Sequence, residues 1–178
     1  MVELVLSGRT EAFEPLVTPY RKLLLTLAYR LSRNIEVAKE ISQETLLRAF
    51  RYLRSFDRNR SFKNWLLQIE MNVWRGSRKK DADEETLREL TVLQRQEKPE
   101  AGQAGDEVRR QILSCLDGLS PKETEVFLLR DIEEMSITET ARILRISAIS
   151  VRVHLSRARQ KVRARVRERY PELLEGRR

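Results

Sequence analysis

Apolar residues along the chain recur at three- and four-residue intervals, and no stretch alternates with a period of two. That pattern predicts helices throughout. In the first third, Leu23, Leu24, Leu27, Ala28 and Leu31 share one side of a helix that Thr10-Glu-Ala-Phe13 opens and Pro19 punctuates. Asn34 is a suitable N-cap for a second helix, from Ile35 to about Arg54. At about 100° per residue, Ala38, Ile41, Thr45, Ala49 and Leu53 fall on one side of it. Glu40, Gln43, Glu44, Leu47 and Arg51 fall on the other, with Arg48 at the margin. The polar run Asp57-Arg-Asn-Arg-Ser61 reads as a turn. Ser61 then caps a third helix with the narrow stripe Phe62, Trp65, Leu66, Ile69 and Val73, ended by Gly76 and Arg78-Lys-Lys80.

Periodicity fades after Leu93 and returns at Val108, Ile112, Cys115 and Leu116, where Gly118 stops a short amphipathic helix. Ser120-Pro-Lys-Glu123 combines an N-cap serine, a proline at the first helical position and a glutamate that closes a capping box. The helix it opens runs to about Asp131. Ser136-Ile-Thr-Glu139 is a second capping box, for a short helix through Leu144. After a three-residue break, Ser147 caps a long helix that buries Val151, Leu155, Ala158, Val162 and Val166. A short helix, a tight break and a longer helix have helix-turn-helix spacing.

Charge supplies the domain organisation. The 178 residues hold 35 Lys+Arg against 27 Asp+Glu, a formal net charge of +8. Residues 81–107 carry nine acids and three bases, together with Pro99, Gly102 and Gly105. This reads as an acidic flexible linker between two strongly basic modules. The expected class is therefore all-α, with two small helical domains at 1–80 and 107–178 and a linker at 81–106.

Composition also narrows the chemistry. Charged residues make up 35% of the chain, against a usual ~25%, and a basic excess of this kind points to a polyanionic partner. No apolar run approaches the ~20 residues of a membrane span, and no secretory leader is evident; a cytoplasmic protein without a membrane partner is expected. One cysteine and one histidine offer neither a disulfide framework nor a metal cluster. No cofactor and no enzymatic activity are expected, because no nucleophile–base pair or phosphate-cradling glycine loop is present. Cys115, among Ile112, Leu113 and Leu116, reads as an inert core thiol.

The long C-terminal helix presents Ser150, Arg152, Val153, Ser156, Arg157 and Gln160 opposite its apolar side, with His154 flanking them. A helix fits the DNA major groove, where Arg and Gln read base edges and Ser binds bases or phosphates. Arg159, Lys161, Arg163, Arg165, Arg167 and Arg169 continue the positive charge. In the first module, Arg58, Asn59, Arg60, Ser61 and Lys63, with Asn72, Arg75 and Arg78 further along, form a positive surface suited to an opened strand. Trp65 belongs on the apolar stripe, and Trp74 is expected to pack against the first helix.

Three segments together carry a family resemblance. Leu119-Ser-Pro-Lys-Glu-Thr-Glu-Val-Phe-Leu-Leu-Arg-Asp131, then Met135-Ser-Ile-Thr-Glu-Thr-Ala-Arg-Ile-Leu144, then Val151–Leu155 with Arg157-Ala-Arg159, resembles the −35-binding region 4 of bacterial RNA polymerase sigma factors. Ala38-Lys-Glu-Ile-Ser-Gln-Glu-Thr-Leu-Leu-Arg-Ala-Phe50 resembles the core-binding helix of region 2, and Ser61-Phe-Lys-Asn-Trp-Leu66 with Ile69 and Asn72 its −10 helix. Two domains with a linker are similar to the extracytoplasmic-function (ECF) group.

The resemblance implies a core-polymerase partner, met through the clamp coiled coil of its largest subunit and its flap. Glu40, Gln43, Glu44, Leu47, Arg48 and Arg51 would dock on the coiled coil. Arg58, Asn59, Arg60, Ser61, Lys63, Asn72, Arg75 and Arg78 would meet the −10 element. Ser150, Arg152, Val153, His154, Ser156, Arg157 and Gln160 would read the −35 duplex. An anti-sigma protein is a further partner of such factors. Where the family usually has Gly, Ser and Arg on the recognition helix, this chain has Ile149, Val153 and His154. Where it often has Ala-Arg-Asn and a later acid, this chain has Glu70-Met-Asn72 and Gly76. A stand-alone helix-turn-helix regulator is the rival reading; it would need a dimer interface, and no long heptad repeat supplies one.

Overall fold

The computed structural model describes residues 1–85, 108 and 111–175, with side chains to Arg78 in the first stretch and to Leu173 in the last. Every regular element among them is helical. The chain divides into two compact units, Met1–Glu97 and Lys98–Arg178.

The first unit opens with α1 (Val2–Leu6) and a 3₁₀ turn at Thr10–Ala12, followed by α2 (Phe13–Ser32). The five residues of α1 bury only Val5, too little to register as periodicity. The expected break at Pro19 does not occur, and α2 runs through it. Pro15 and Pro19 both lie on the exposed side, where water reaches the carbonyl that Pro19 leaves without an amide donor. Arg33, at φ 57°, ends the helix. The Asn34 side chain then accepts hydrogen bonds from the Glu36 and Val37 amides at 2.9 and 3.2 Å, and α3 (Ile35–Arg51) begins. It ends three residues earlier than expected, the chain closing in a 3₁₀ turn at Leu53–Ser55.

After the Asp57 turn comes α4 (Phe62–Glu85). The Asn64 amide donates to the Ser61 hydroxyl at 3.3 Å, so the expected cap is present. The apolar stripe is broader than the sequence suggests: Leu66, Leu67, Glu70, Met71 and Val73 are buried. The cause is that α4 packs against both α2 and α3. Nor does Gly76 stop the helix. A glycine costs only about 1 kcal/mol in a helix interior, nothing crowds it, and α4 continues through Glu85. The start of the expected linker is therefore helical; its remainder, 86–106, lies outside the described residues. Ala28, Ala38, Ile41 and Val73 form a core cluster against which Leu25, Tyr29, Val37, Ile69 and Trp74 pack.

In the second unit, Val108 and residues 111–114 are helical. Cys115 and Leu116 are buried as expected, whereas Val108 is 41% exposed. Gly118 sits at φ 91°, a left-handed conformation that demands glycine, with only the movable Arg165 guanidinium beside it. Both predicted capping boxes are formed. Ser120 and Glu123 open α5 (Pro121–Phe127), and Ser136 and Glu139 open α6 (Ile137–Leu144). Beyond Phe127 the helix widens into a π-helical turn, Leu128–Ile132, instead of running on as α-helix to Asp131. Arg145 ends α6 at φ 53°, and the Ser147 hydroxyl accepts from the Ser150 amide to start α7 (Ala148–Arg169). The short α8 (Glu172–Glu175) follows. All five predicted core positions of α7 are buried.

The α5 capping box is tied to α7. Glu123, 4% exposed, accepts from Lys161 Nζ at 2.7 Å and from the Ser120 amide at 2.8 Å. Burial pushes its carboxyl up, but Lys161 and Ser120 together pull harder, and the net shift is below the ordinary carboxylate range. A depressed folded value means this stabilisation is full at neutral pH and is lost as pH falls through that value, below about pH 4.3. We expect Glu123→Gln to lower second-unit stability by about 1–2 kcal/mol at neutral pH and to flatten its loss on acidification. Thermal melts by circular dichroism between neutral and acid pH measure both. Equal acid slopes for variant and parent would contradict the assignment.

Candidate nucleic-acid interface

The outward side of α7 is set by its inward one. With Val151, Leu155, Ala158, Val162 and Val166 committed to the core, the opposite side carries Arg152, Val153, Ser156, Arg157 and Gln160, all exposed. Ser150 is half-buried beside them, its hydroxyl 2.9 Å from that of Ser147. His154 lies at the margin between the two sides, half-buried, with Nδ1 turned inward and no hydrogen-bond partner among the described residues.

Three tail bases are engaged inside the unit. Arg159 makes a two-pronged pair with Asp131, Nε–Oδ2 2.8 Å and Nη2–Oδ1 2.6 Å, and its pKa is raised by that carboxylate. Lys161 holds Glu123, and Arg169 donates to the Ser114 carbonyl at 3.1 Å. These are positioning contacts that fix α7 against α5, the π turn and the helical residues 111–114.

One residue the sequence reading overlooked joins the basic surface. Arg130, on the π turn, faces a groove of about 770 Å³ that is lined also by Ile137, Arg152, Leu155, Ser156, Arg159, Gln160, Arg163, Ala164 and Arg167. Its Nε is buried and has no hydrogen-bond partner among the described residues. The wide turn brings Arg130 to α7, and no local pattern announces a π turn. Five guanidinium groups thus line one groove, Arg159 among them held by Asp131, and they give it positive charge.

In the first unit the α3 stripe is placed as predicted. Glu40, Gln43, Leu47 and Arg51 are exposed, Glu44 and Arg48 half-exposed and paired at 2.6 Å. Leu47 is 48% exposed, as are Phe50 (42%), at the edge of the stripe, and Tyr52 (57%), just past the helix end, both absent from the predicted set. Phe50 is steadied edge-on by Phe13, 5.1 Å between ring centroids. An apolar strip this open on a helix suits a protein partner.

The turn before α4 collects Arg58, Asn59, Arg60 and Ser61. Asp57 orders it, its side chain accepting from the Asn59 amide at 3.0 Å and pairing with Arg60 at 3.2 Å. Arg58 is paired with Glu3 of α1. Behind the turn, Phe56, Phe62 and Trp65 form an aromatic cluster with ring centroids 5.2–5.6 Å apart. Lys63 is half-buried, as are Asn72 and Arg75 further along α4. Arg78 lies 5.6 Å from the Trp74 ring centroid. These residues do not converge on one point. From Lys63 to Arg78 they are strung along roughly 22 Å of helix, at ~1.5 Å per residue. Trp74 packs on the core cluster, as expected.

Among the described residues no helix is long and apolar enough to cross a membrane, and no His/Cys/Asp/Glu cluster is placed to hold a metal ion. Comparison with known proteins gives matches across both units. The family model for sigma-70 region 2 matches residues 16–82, and that for sigma-70 region 4 matches 109–162. The ECF RNA polymerase sigma factor SigW of Bacillus subtilis is 30% identical, the alignment covering 94% of this chain and 95% of that protein. Among solved structures, the sigma factor RpoE of Bartonella quintana, in complex with the anti-sigma factor NepR, superposes with a TM-score of 0.73. It is 22% identical, with 94% of this chain and 99% of that chain covered. CnrH, in complex with the cytosolic domain of CnrY, has a TM-score of 0.66 and 26% identity, over 94% and 96% of the two chains. A stand-alone helix-turn-helix regulator would account for the second unit alone, whereas region 2 accounts for the first. The chain thus belongs to the sigma-70 family of bacterial RNA polymerase sigma factors, in its ECF group, and is a promoter-recognising initiation factor.

Proposed function

We propose that the protein divides promoter recognition among three surfaces. The outward stripe of α3 docks on the clamp coiled coil of core polymerase. The Asp57–Lys63 turn and the exposed side of α4 hold the opened −10 strand. α7 reads the −35 duplex while the flap of the polymerase holds the second unit. We place the protein in the cytoplasm, where its polymerase and promoter DNA are. The family also favours an anti-sigma protein as regulator, as in the complex of the Bartonella quintana factor.

The observation that carries this reading is the division of character between the two outward stripes. That of α3 mixes Glu40, Glu44, Arg48 and Arg51 around Leu47, with Phe50 at its edge. Carboxylates there would repel phosphate, and the apolar side chains suit another protein. That of α7 has no acid from Ala148 through Arg167 and adjoins the arginine-lined groove. We expect Glu44→Arg combined with Leu47→Arg to weaken binding to purified core polymerase at least tenfold. Helix content should be unchanged, since neither side chain is buried. Fluorescence anisotropy of labelled protein titrated with core measures this. Undiminished affinity would remove α3 as the docking surface.

Arg130 tests the DNA surface separately. If it contacts a phosphate, Arg130→Ala lowers holoenzyme affinity for promoter duplex about equally across −35 sequences. The slope of log affinity against log salt should become shallower by about 1. A loss confined to particular −35 sequences, with an unchanged salt slope, would assign Arg130 to base reading instead.

A further inference from the structure

The outermost position of α7 is apolar. With about 100° per residue, Val153 points opposite the mean direction of the buried Val151, Leu155, Ala158, Val162 and Val166. Ile149 lies one turn earlier, some 40° away. Arg152 flanks this pair on one side and Arg157 on the other, with Ser156 and Gln160 continuing the line. Ile149 is 70% exposed and Val153 41% exposed. Water covers two branched aliphatic side chains at the centre of an otherwise polar, cationic face.

We infer that Ile149 and Val153 read thymine C5-methyl groups in the −35 major groove. The inference rests on α7 being the duplex-reading helix and adds what that helix reads. Three considerations select this occupant. The flanking arginines are complementary to phosphates on either side of a groove and would be unpaired against an apolar protein surface. Neither Ile nor Val can donate or accept a hydrogen bond, so at a base edge the one feature they recognise is the thymine methyl. Side chains four apart on a helix are separated by about 6 Å along its axis. That is close to two base-pair steps of roughly 3.4 Å, so two methyls one or two steps apart, on either strand, match the pair.

The test uses holoenzyme assembled from the full-length protein and core polymerase. A promoter duplex randomised at −35 is selected for binding, and thymines in the winning sequence are replaced one at a time by deoxyuridine, which removes only the methyl. We expect thymine at one or more selected positions, with deoxyuridine there lowering affinity about fourfold. Val153→Ser should abolish the thymine-over-deoxyuridine preference at one position, and Ile149→Ala at its neighbour. Both side chains are exposed, so neither change should disturb folding; helix melting checks that. Specific −35 selection with deoxyuridine tolerated everywhere would overturn the methyl reading while leaving the sigma role intact. Absence of any −35 selection by a polymerase-bound protein would overturn the assignment of α7, and the methyl reading with it.

Discussion

Each helix here must bury one stripe against its own unit, and that constraint decides which residues remain for partners. α3 and α7 each meet it with one narrow apolar stripe. Once Ala38, Ile41, Thr45 and Ala49 are spent on the first core, Glu40, Gln43, Leu47 and Arg51 are what α3 has left. Once Val151, Leu155, Ala158 and Val162 are spent on the second, Arg152, Val153, Ser156, Arg157 and Gln160 are what α7 leaves exposed. Interface composition is thus a consequence of core composition, read half a turn away.

Electrostatics then divides the cations of the second unit by role. Arg159 is held by Asp131 and Lys161 by Glu123, and both pairs lock α7 to the segment that precedes the helix-turn-helix. Arg152, Arg157, Arg163 and Arg167 remain exposed for polyanion contact, with Arg130 added by the π turn. In the first unit the aromatic cluster of Phe56, Phe62 and Trp65 lies behind the basic turn.

What could be read from the sequence was what depends on neighbours a few residues away. Asn34, Ser120, Ser136 and Ser147 each cap the helix predicted for them, because a cap is a contact within three residues. The outward stripes of α3 and α7 were legible for the same reason. Misreadings arose where a distant partner or solvent decides. α4 is buried more widely than its stripe because two helices cover it, Gly76 is tolerated because nothing surrounds it, and Pro19 because it is exposed. Arg130 reaches the groove only through a π turn, whose wider ring has no sequence signature comparable to a capping box. The engagements of Arg159 with Asp131, Lys161 with Glu123 and Arg169 with Ser114, 28 to 55 positions apart, are equally invisible, so three bases that look free in the sequence are structural.

The central claim is that this chain confers promoter choice on core polymerase, and run-off transcription measures it most directly. Core polymerase would be supplied with a library of genomic fragments, with and without the purified protein. The account predicts discrete transcripts only when the protein is present, their start sites preceded by a shared pair of elements at −35 and −10. Core binding without any promoter-specific transcript, or nanomolar duplex binding by the protein alone with none, would contradict it.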